Sequence, residues 1–159
     1  MFYKAIVFLP LVGAIAAGLF SLRKLDGAAV TVSIAGVCLS FILSCFAFGT
    51  IALGGEQATI DVARWIGSGS FQAHWTLRFD TLTAVMLIVV TGVSSCVHIY
   101  SVGYMHSDKS IARFMAYLSL FTFAMLMLVS ADNLVQLFFG WEGVGVASYL
   151  LIGFWHHKE

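Results

Sequence analysis

Charged residues and proline are scarce in this 159-residue chain. Only 10% of its residues are Asp, Glu, Lys or Arg, and Pro10 is the single proline, whereas a soluble domain carries about 25% charged residues. Hydrophobic residues make up 60%, and the mean hydropathy is +0.96. These values exclude a soluble globular domain and indicate a membrane protein. Eight basic and eight acidic residues cancel, so we expect no basic surface that would bind nucleic acid.

Cysteine is also scarce, with Cys38, Cys45 and Cys96 all inside apolar runs. Seven residues of helix separate the first two by about 10 Å, which is beyond disulfide reach. No Cys or His cluster has metal-ligand spacing, and no Gly-rich nucleotide loop is present. We therefore expect no metal site, redox centre or cofactor-binding site in the chain itself.

Long apolar runs are abundant, and five are long enough to cross about 30 Å of hydrocarbon as helices. The run after Lys4 also has the features of a signal peptide, but no soluble mature domain follows it, so we interpret it as the first span. Short connections predict antiparallel neighbours in one bundle. The sequence thus predicts an all-α membrane protein, a single transmembrane domain over residues 1–159, with helices at about 5–22, 28–53, 79–103, 111–129 and 134–155.

The one long connection is predicted to form a β-hairpin over about residues 58–78. Apolar and polar residues alternate from Phe71 to Phe79, and a Gly67-Ser68-Gly69 turn precedes them. A lone hairpin is marginally stable in water, so we expect it to lie on the bundle or on a neighbouring subunit, with Trp65 and Trp75 near the lipid headgroups.

Basic residues suggest an orientation for the bundle. With five spans, one side holds Arg23, Lys24, Lys109, Arg113 and Lys158, and the other holds Lys4, Arg64 and Arg78. Short loops rich in Lys and Arg stay on the cytoplasmic or matrix side. We therefore expect the N-terminus and the hairpin to be outside, which makes the hairpin extracytoplasmic.

Glu142 is the main candidate for chemistry. It lies about 12 Å into the hydrocarbon when counted from Leu134, where an acidic side chain costs a few kcal/mol and is expected to face the bundle interior with a partner or a proton. We expect no lysine or arginine inside any of the five spans that could neutralise Glu142. Three interpretations stay open: a permanently protonated, hydrogen-bonded carboxyl, a carboxyl that titrates near pH 7, or a carboxylate paired with a cation on another segment.

The neighbours of Glu142 are small. Gly140, Gly143 and Gly145 flank it and allow another backbone to approach closely, which also suits plain helix packing.

Three other ionisable residues are candidates. His98, inside the third span, is more readily interpreted as a hydrogen-bonded core residue than as a proton relay, and we keep the relay as the second hypothesis. Asp80 and Asp132 stand at the starts of spans, where we expect them to cap helices rather than to admit ions.

Three stretches together resemble a known family. HIYSVGYM, FMAYLSLFTFAMLMLVSADN and ADNLVQLFFGWEGVGVASYLLIGFW are similar to the L subunits of bacterial proton-translocating NADH:quinone oxidoreductase, respiratory complex I, whose mitochondrial counterpart is NADH dehydrogenase subunit 5. The similarity covers essentially the whole chain and is strongest from Phe79 to Trp155. Family members are several times longer than this chain.

The resemblance implies a role in proton translocation coupled to NADH oxidation and quinone reduction. It implies that Glu142 pairs with a lysine on a later helix, beyond residue 159, and that this pair moves protons. NADH, FMN, iron-sulfur clusters and quinone would be bound by partner subunits, and the partners of this chain would be other membrane subunits of complex I, the lipid bilayer and protons. The location would be a bacterial inner membrane or the mitochondrial inner membrane.

Two alternatives remain. Multisubunit cation/proton antiporters share part of the motif pattern, so the chain would then belong to a subunit of such an antiporter. The other alternative is a truncated structural or assembly piece that does not conduct, for which Glu142 would be dispensable.

Overall fold

The computed structural model describes residues 2–69 and 71–155 of the chain. Five helices in this part are long and apolar enough to cross a membrane, which confirms the predicted all-α membrane fold with one hairpin. The five helices are α1 Phe2–Leu22, α2 Asp26–Phe48, α3 Thr81–Tyr104, α4 Ile111–Val129 and α5 Leu134–Ile152. A π-helical turn, Gly49–Leu53, follows α2, and a 3-10 turn, Gly153–Trp155, follows α5.

The helices pack in a bundle in which α1 and α2 contact each other and α4, α2 also contacts α3, and α5 packs mainly on α4. The main apolar core lies at the end where the hairpin sits, which we call the hairpin end. The opposite end, formed by the α1–α2 and α3–α4 loops, is the far end. There the core consists of Ala17, Ala29, Ala112 and Ala116, whose small side chains let three helices approach closely.

The hairpin consists of β1 (Ala58–Ser68) and β2 (Phe71–Phe79), paired antiparallel from Ala58 opposite Phe79. The turn is later than the predicted one, because β1 continues through Ser68 and Gly69 takes the positive φ of 58° that glycine accepts without strain. The second edge of β2 is also used: Leu77 bridges Ala131, and the N–H of Arg78 donates to the carbonyl of Ser130 at 2.9 Å. The hairpin therefore lies on the bundle, attached to the α4–α5 loop.

Two helix starts differ from the sequence expectation. The third helix begins at Thr81 instead of Phe79, because Phe79 ends β2 and the Asp80 side chain caps the helix by accepting from the N–H of Thr83. The expectation that Asp132 caps the fifth helix is wrong. Asn133 is the N-cap and accepts from the N–H of Gln136, since the residue directly before the first helical turn has the capping geometry.

Candidate functional site

Glu142 lies in the middle of α5, on the face that the other four helices leave uncovered. Its side chain is exposed among the described residues, as are those of Trp141 and Val146. The expectation that the carboxyl group faces the interior of these five helices is therefore wrong. The α5 span has 17% of its most apolar stretch buried, against 56% for α4, so most of the surface of α5 is available for contact with something else.

An apolar cavity of about 320 Å³ adjoins Glu142 in the groove between α4 and α5. Apart from the carboxylate, its lining is entirely hydrophobic or glycine: Leu120, Phe123, Ala124, Phe139, Gly140, Gly143 and Val146. A carboxylate next to such a surface has no local group that would stabilise its charge in hydrocarbon. The group must gain a proton or a cationic partner when the groove lies inside a membrane.

Two of the neighbouring glycines bring α5 close to α4. A Cβ atom on Gly140 would lie 2.8 Å from the Cα and N atoms of Leu128, and one on Gly143 would lie 3.2 Å from the Cβ of Ala124. Gly145 has open space around it. The glycines at 140 and 143 thus fix the contact between the helices, which sets the rotation of α5 and leaves Glu142 exposed at the edge of the α4–α5 groove.

No cation within the described residues reaches Glu142. An ion pair does form between Arg78 and Asp80, at 3.5 Å, but it lies at the start of α3. Arg113 does lie inside α4, but near its first turn, where its guanidinium carbon is 5.0 Å from the centre of the Phe154 ring. Phe154 follows Glu142 by twelve residues, or about 18 Å of helix. A positive partner for Glu142 must come from another segment.

A polar clamp, formed by Asn133 and Gln136, holds the start of α5 against the hairpin. The amide of Asn133 donates to the carbonyl of His74 at 2.8 Å, and the buried Gln136 side chain accepts from the N–H of Thr76 at 3.0 Å. These bonds fix the helix that carries Glu142. Sequence reasoning missed the clamp, although an amide side chain in the first turn of an apolar span was a usable signal, because a buried amide needs partners.

His98 is buried completely on α3, and both ring nitrogens have partners. Nδ1 lies 2.8 Å from the carbonyl oxygen of Ser94, and Nε2 lies 3.0 Å from Oγ of Ser119 on α4. A carbonyl oxygen only accepts, so Nδ1 carries the hydrogen in the neutral ring, and Ser119 donates to Nε2. Ser94 also hydrogen-bonds Thr122. His98 therefore links α3 to α4 within a set of hydroxyl groups.

The two predicted site residues are not brought together. The hydrogen-bond partners of His98 lie on α3 and α4, and the groove lining at Glu142 includes none of them. In the part of the chain that the structure describes, no group of three or more His, Cys, Asp or Glu side chains has the geometry to hold a metal ion.

Two family models match separate segments of the chain. The model of the N-terminus of NADH-ubiquinone oxidoreductase (complex I) chain 5 matches residues 65–115. A transmembrane model described as NADH:quinone oxidoreductase/Mrp antiporter matches residues 131–159. The NADH-ubiquinone oxidoreductase chain 5 of Triticum aestivum is 54% identical over 155 residues, or 96% of this chain. Over nearly its whole length the chain is similar to complex I chain 5 proteins.

Bacterial members of the chain 5 family carry the name subunit L. The NADH-quinone oxidoreductase subunit L of Rickettsia conorii is 54% identical over 155 residues and covers 97% of this chain. The chain 5 protein of Arabidopsis thaliana is 55% identical over 157 residues. The chain spans about a quarter of the length of these relatives, with 23% of each covered. His98 falls within the first family match and Glu142 within the second.

Proposed function

We propose that the chain is the N-terminal part of a complex I membrane subunit that contributes to proton translocation coupled to NADH oxidation and quinone reduction. The observation that carries this proposal is the position of Glu142, an exposed carboxyl at mid-span, with a glycine-set orientation and no ion pair to any cation among the described residues. The names of the relatives supply the process: they are NADH-quinone and NADH-ubiquinone oxidoreductase subunits.

Glu142 is the proposed proton-transferring residue. The uncovered face of α5 offers a place for a later helix of the longer protein, and a lysine on that helix would neutralise the carboxylate. While the pair is formed, the charged carboxylate is favoured. When the lysine moves away, the apolar groove favours the protonated carboxyl. Breaking the pair therefore takes up a proton at Glu142, and making the pair again releases that proton.

His98 is proposed as an accessory relay residue. Its Nδ1–H is held by a carbonyl, so a proton that arrives on Nε2 through the Ser119 hydroxyl gives an imidazolium ring with both N–H groups already partnered. The hydroxyls of Ser94 on α3 and Thr122 on α4 extend this set of groups between the two helices. The same bonds also fasten α3 to α4, so the relay role is secondary to that of Glu142.

The rest of the enzyme would be supplied by partners. Within this proposal NADH, FMN, iron-sulfur clusters and quinone bind to other subunits, and this chain serves the oxidoreductase as its proton-conducting membrane part. Its partners are other complex I membrane subunits, lipids and protons, in a bacterial or mitochondrial inner membrane. The excess of basic residues at the far end supports an orientation with the hairpin end and the N-terminus outside.

A second candidate function is cation/proton antiport. The family model that covers Glu142 is described as NADH:quinone oxidoreductase/Mrp antiporter. By this description, oxidoreductases and antiporters share the region that carries Glu142. Proton movement driven by a sodium gradient in the absence of NADH would favour the antiporter. A non-conducting structural role would be favoured if Glu142 were dispensable.

The deciding experiment replaces Glu142 in the full-length protein within its assembled complex. Glu142→Gln keeps the shape and hydrogen-bonding capacity of the side chain but removes its titration. We expect at least a tenfold loss of proton translocation in vesicles, measured by quenching of a pH-sensitive dye and normalised to NADH oxidation.

The matched control is Tyr149→Phe, which removes a polar group two turns further along the same exposed face of α5. This variant is expected to pump as the unaltered complex does. Full coupled pumping by Glu142→Gln would refute the proposed role of the carboxyl group.

A further inference from the structure

A basic cavity of about 350 Å³ lies at the far end of the bundle, between the α1–α2 turn and the start of α4. Its charged lining comprises Lys24, Lys109, Arg113 and Asp26, and two hydroxyl residues, Ser21 and Ser110, complete it. Three positive charges therefore face one negative charge. None of these four charged side chains forms an ion pair within the described residues, so the cavity keeps an excess of two positive charges.

Arg113 lies between this cavity and a second one, which Phe154 lines. Its guanidinium group lies over the Phe154 ring, and its Nε atom is buried without a hydrogen-bond partner in the described part of the chain. A buried guanidinium N–H without an acceptor is costly, and a phosphate oxygen is an acceptor that arginine binds well. This orphaned donor points to an anionic ligand.

The start of α4 adds neutral donors next to the cations. Ser110 is the N-cap, but its side chain makes no capping bond to the first turn. The N–H groups of Ser110 and Ile111 donate to the Asp108 side chain and carbonyl oxygen, respectively. Those of Ala112 and Arg113 follow in the first turn, where N–H groups lack intrahelical acceptors and carry partial positive charge, which suits an oxyanion. The cavity thus combines three cations, an unpartnered guanidinium N–H and a helix start.

The position of the cavity along the helices indicates which kind of anion would bind there. It lies where α1 ends at Leu22 and α2 begins at Asp26, which is the level of the headgroups if these helices span a membrane. Leu22 and Leu25 beside it are exposed, Leu22 by 83%, and offer an apolar surface for acyl chains. Basic pockets at this level recognise anionic lipid headgroups.

We propose that the far-end cavity binds the phosphate of an anionic phospholipid. Arg113 and Lys109 contact the phosphate oxygens, Lys24 contributes charge from the α1–α2 turn, and the acyl chains lie along the exposed leucines. The proposal needs only that the helices span a membrane, and its readout is lipid binding. Its failure would therefore leave the proton-translocation proposal untouched.

The test uses the full-length protein in phosphatidylcholine nanodiscs that contain diazirine-labelled phosphatidylglycerol or, in a parallel sample, diazirine-labelled phosphatidylcholine. After illumination, mass spectrometry quantifies lipid adducts on residues 20–30 and 105–115, with the hairpin peptides as the reference. We expect several-fold more phosphatidylglycerol than phosphatidylcholine adducts at the cavity and equal amounts at the hairpin. No preference at the cavity would overturn the proposal.

Variants that remove a charge distinguish a specific lipid site from general electrostatic attraction of anionic lipids to the protein surface. One basic residue near a membrane surface contributes about 1 kcal/mol to binding an anionic lipid, so Lys109→Gln and Arg113→Gln should each lower the preference about fivefold. Lys109 is exposed, so its replacement does not endanger folding. Asp26→Asn removes the opposing charge and should raise the preference.

The matched control is Arg23→Gln, which removes the same charge at the same end but from a residue that does not line the cavity. It should leave the preference unchanged. An equal loss in Arg23→Gln would show diffuse attraction and overturn the proposal. Excess inorganic phosphate at constant ionic strength should not abolish the preference; if it does, the cavity is a site for soluble phosphate instead.

Discussion

His98 and Glu142 meet the cost of a polar group in hydrocarbon in different ways. His98 is fully buried and its two ring nitrogens are partnered by groups on α3 and α4, so its polarity is satisfied within the chain. Glu142 is exposed beside an apolar groove, so its polarity must be satisfied from outside these five helices. At the scale of single residues, His98 is therefore part of the packed bundle, whereas the carboxyl group of Glu142 still needs a proton or a partner.

Asp80 offers a test of capping and of pH dependence together. Its carboxylate accepts from the N–H of Thr83 at 2.9 Å, and this backbone bond, with a contribution from Arg78, outweighs burial and holds the pKa of Asp80 below its ordinary 3.8. We expect Asp80→Ala to destabilise the protein by about 1 kcal/mol and Asp80→Asn to retain most of the cap. Thermal unfolding of the full-length protein in detergent at neutral pH measures both.

The sign of the pH effect follows from the lowered pKa. A carboxyl group whose pKa is lower in the folded state stabilises that state fully above pH 3.8, and the stabilisation is lost as the pH falls through the folded pKa. The unaltered protein should therefore lose more stability than Asp80→Asn on acidification below about pH 4. Equal acid sensitivity of the two proteins would contradict this account of Asp80.

The α4–α5 contact carries the sharpest prediction at the scale of elements. Gly140→Ala places a methyl group 2.8 Å from the backbone of Leu128, and backbone atoms cannot move aside as a flexible side chain can. The helices must separate, at a cost of about 1–3 kcal/mol. Thermal unfolding and the yield of folded protein report the loss.

Gly145→Ala is the matched control on the same helix, because no atom lies within 4 Å of its added methyl group. It should be neutral or slightly stabilising, since alanine favours helix by up to about 1 kcal/mol over glycine. If the two variants unfold at the same temperature, the glycine at 140 does not set the spacing of α4 and α5.

The sequence predicts where helices and strands lie better than it predicts which side of a helix contacts its neighbours. The alternation from Phe71 to Phe79 revealed β2, and the apolar run from Ile111 to Val129 matches α4 at both ends. The side of α5 that faces α4 was not predictable, because α5 is apolar on all sides and its pattern has no periodicity to read. The orientation of Glu142 depends instead on the glycine contact with Leu128, a tertiary feature without a local signal.

Helix N-caps were also only partly predictable from the sequence, although a cap involves only a few neighbouring residues. Asp80 and Asp132 both precede apolar runs, and both are acceptable caps by residue type. The cap at Asp80 is present, whereas Asn133 takes the place expected for Asp132. The choice is made by the hairpin, since the Asn133 amide also donates to the carbonyl of His74, a contact 59 residues away in sequence.

At the scale of the whole molecule, the two ends of the bundle differ in build. The hairpin end is closed by β2, the Asn133 and Gln136 clamp and an aromatic group of Trp65, Trp75 and Phe139. The far end is open and basic around Lys24, Lys109 and Arg113. This difference between the ends makes the molecule asymmetric along its helices, and α5 leaves one side of the bundle uncovered.

The direction across the membrane is testable by cysteine labelling in right-side-out membrane vesicles. In a variant in which Cys38, Cys45 and Cys96 are replaced by serine, a single cysteine is introduced at Glu56 near the hairpin or at Ser107 in the α3–α4 loop; both positions are exposed. The basic far end favours the cytoplasmic or matrix side. We therefore expect a membrane-impermeant maleimide to label Glu56→Cys in intact vesicles and Ser107→Cys only after permeabilisation. The reverse pattern would place the far end outside, and the basic cavity would then face the leaflet that carries less anionic lipid.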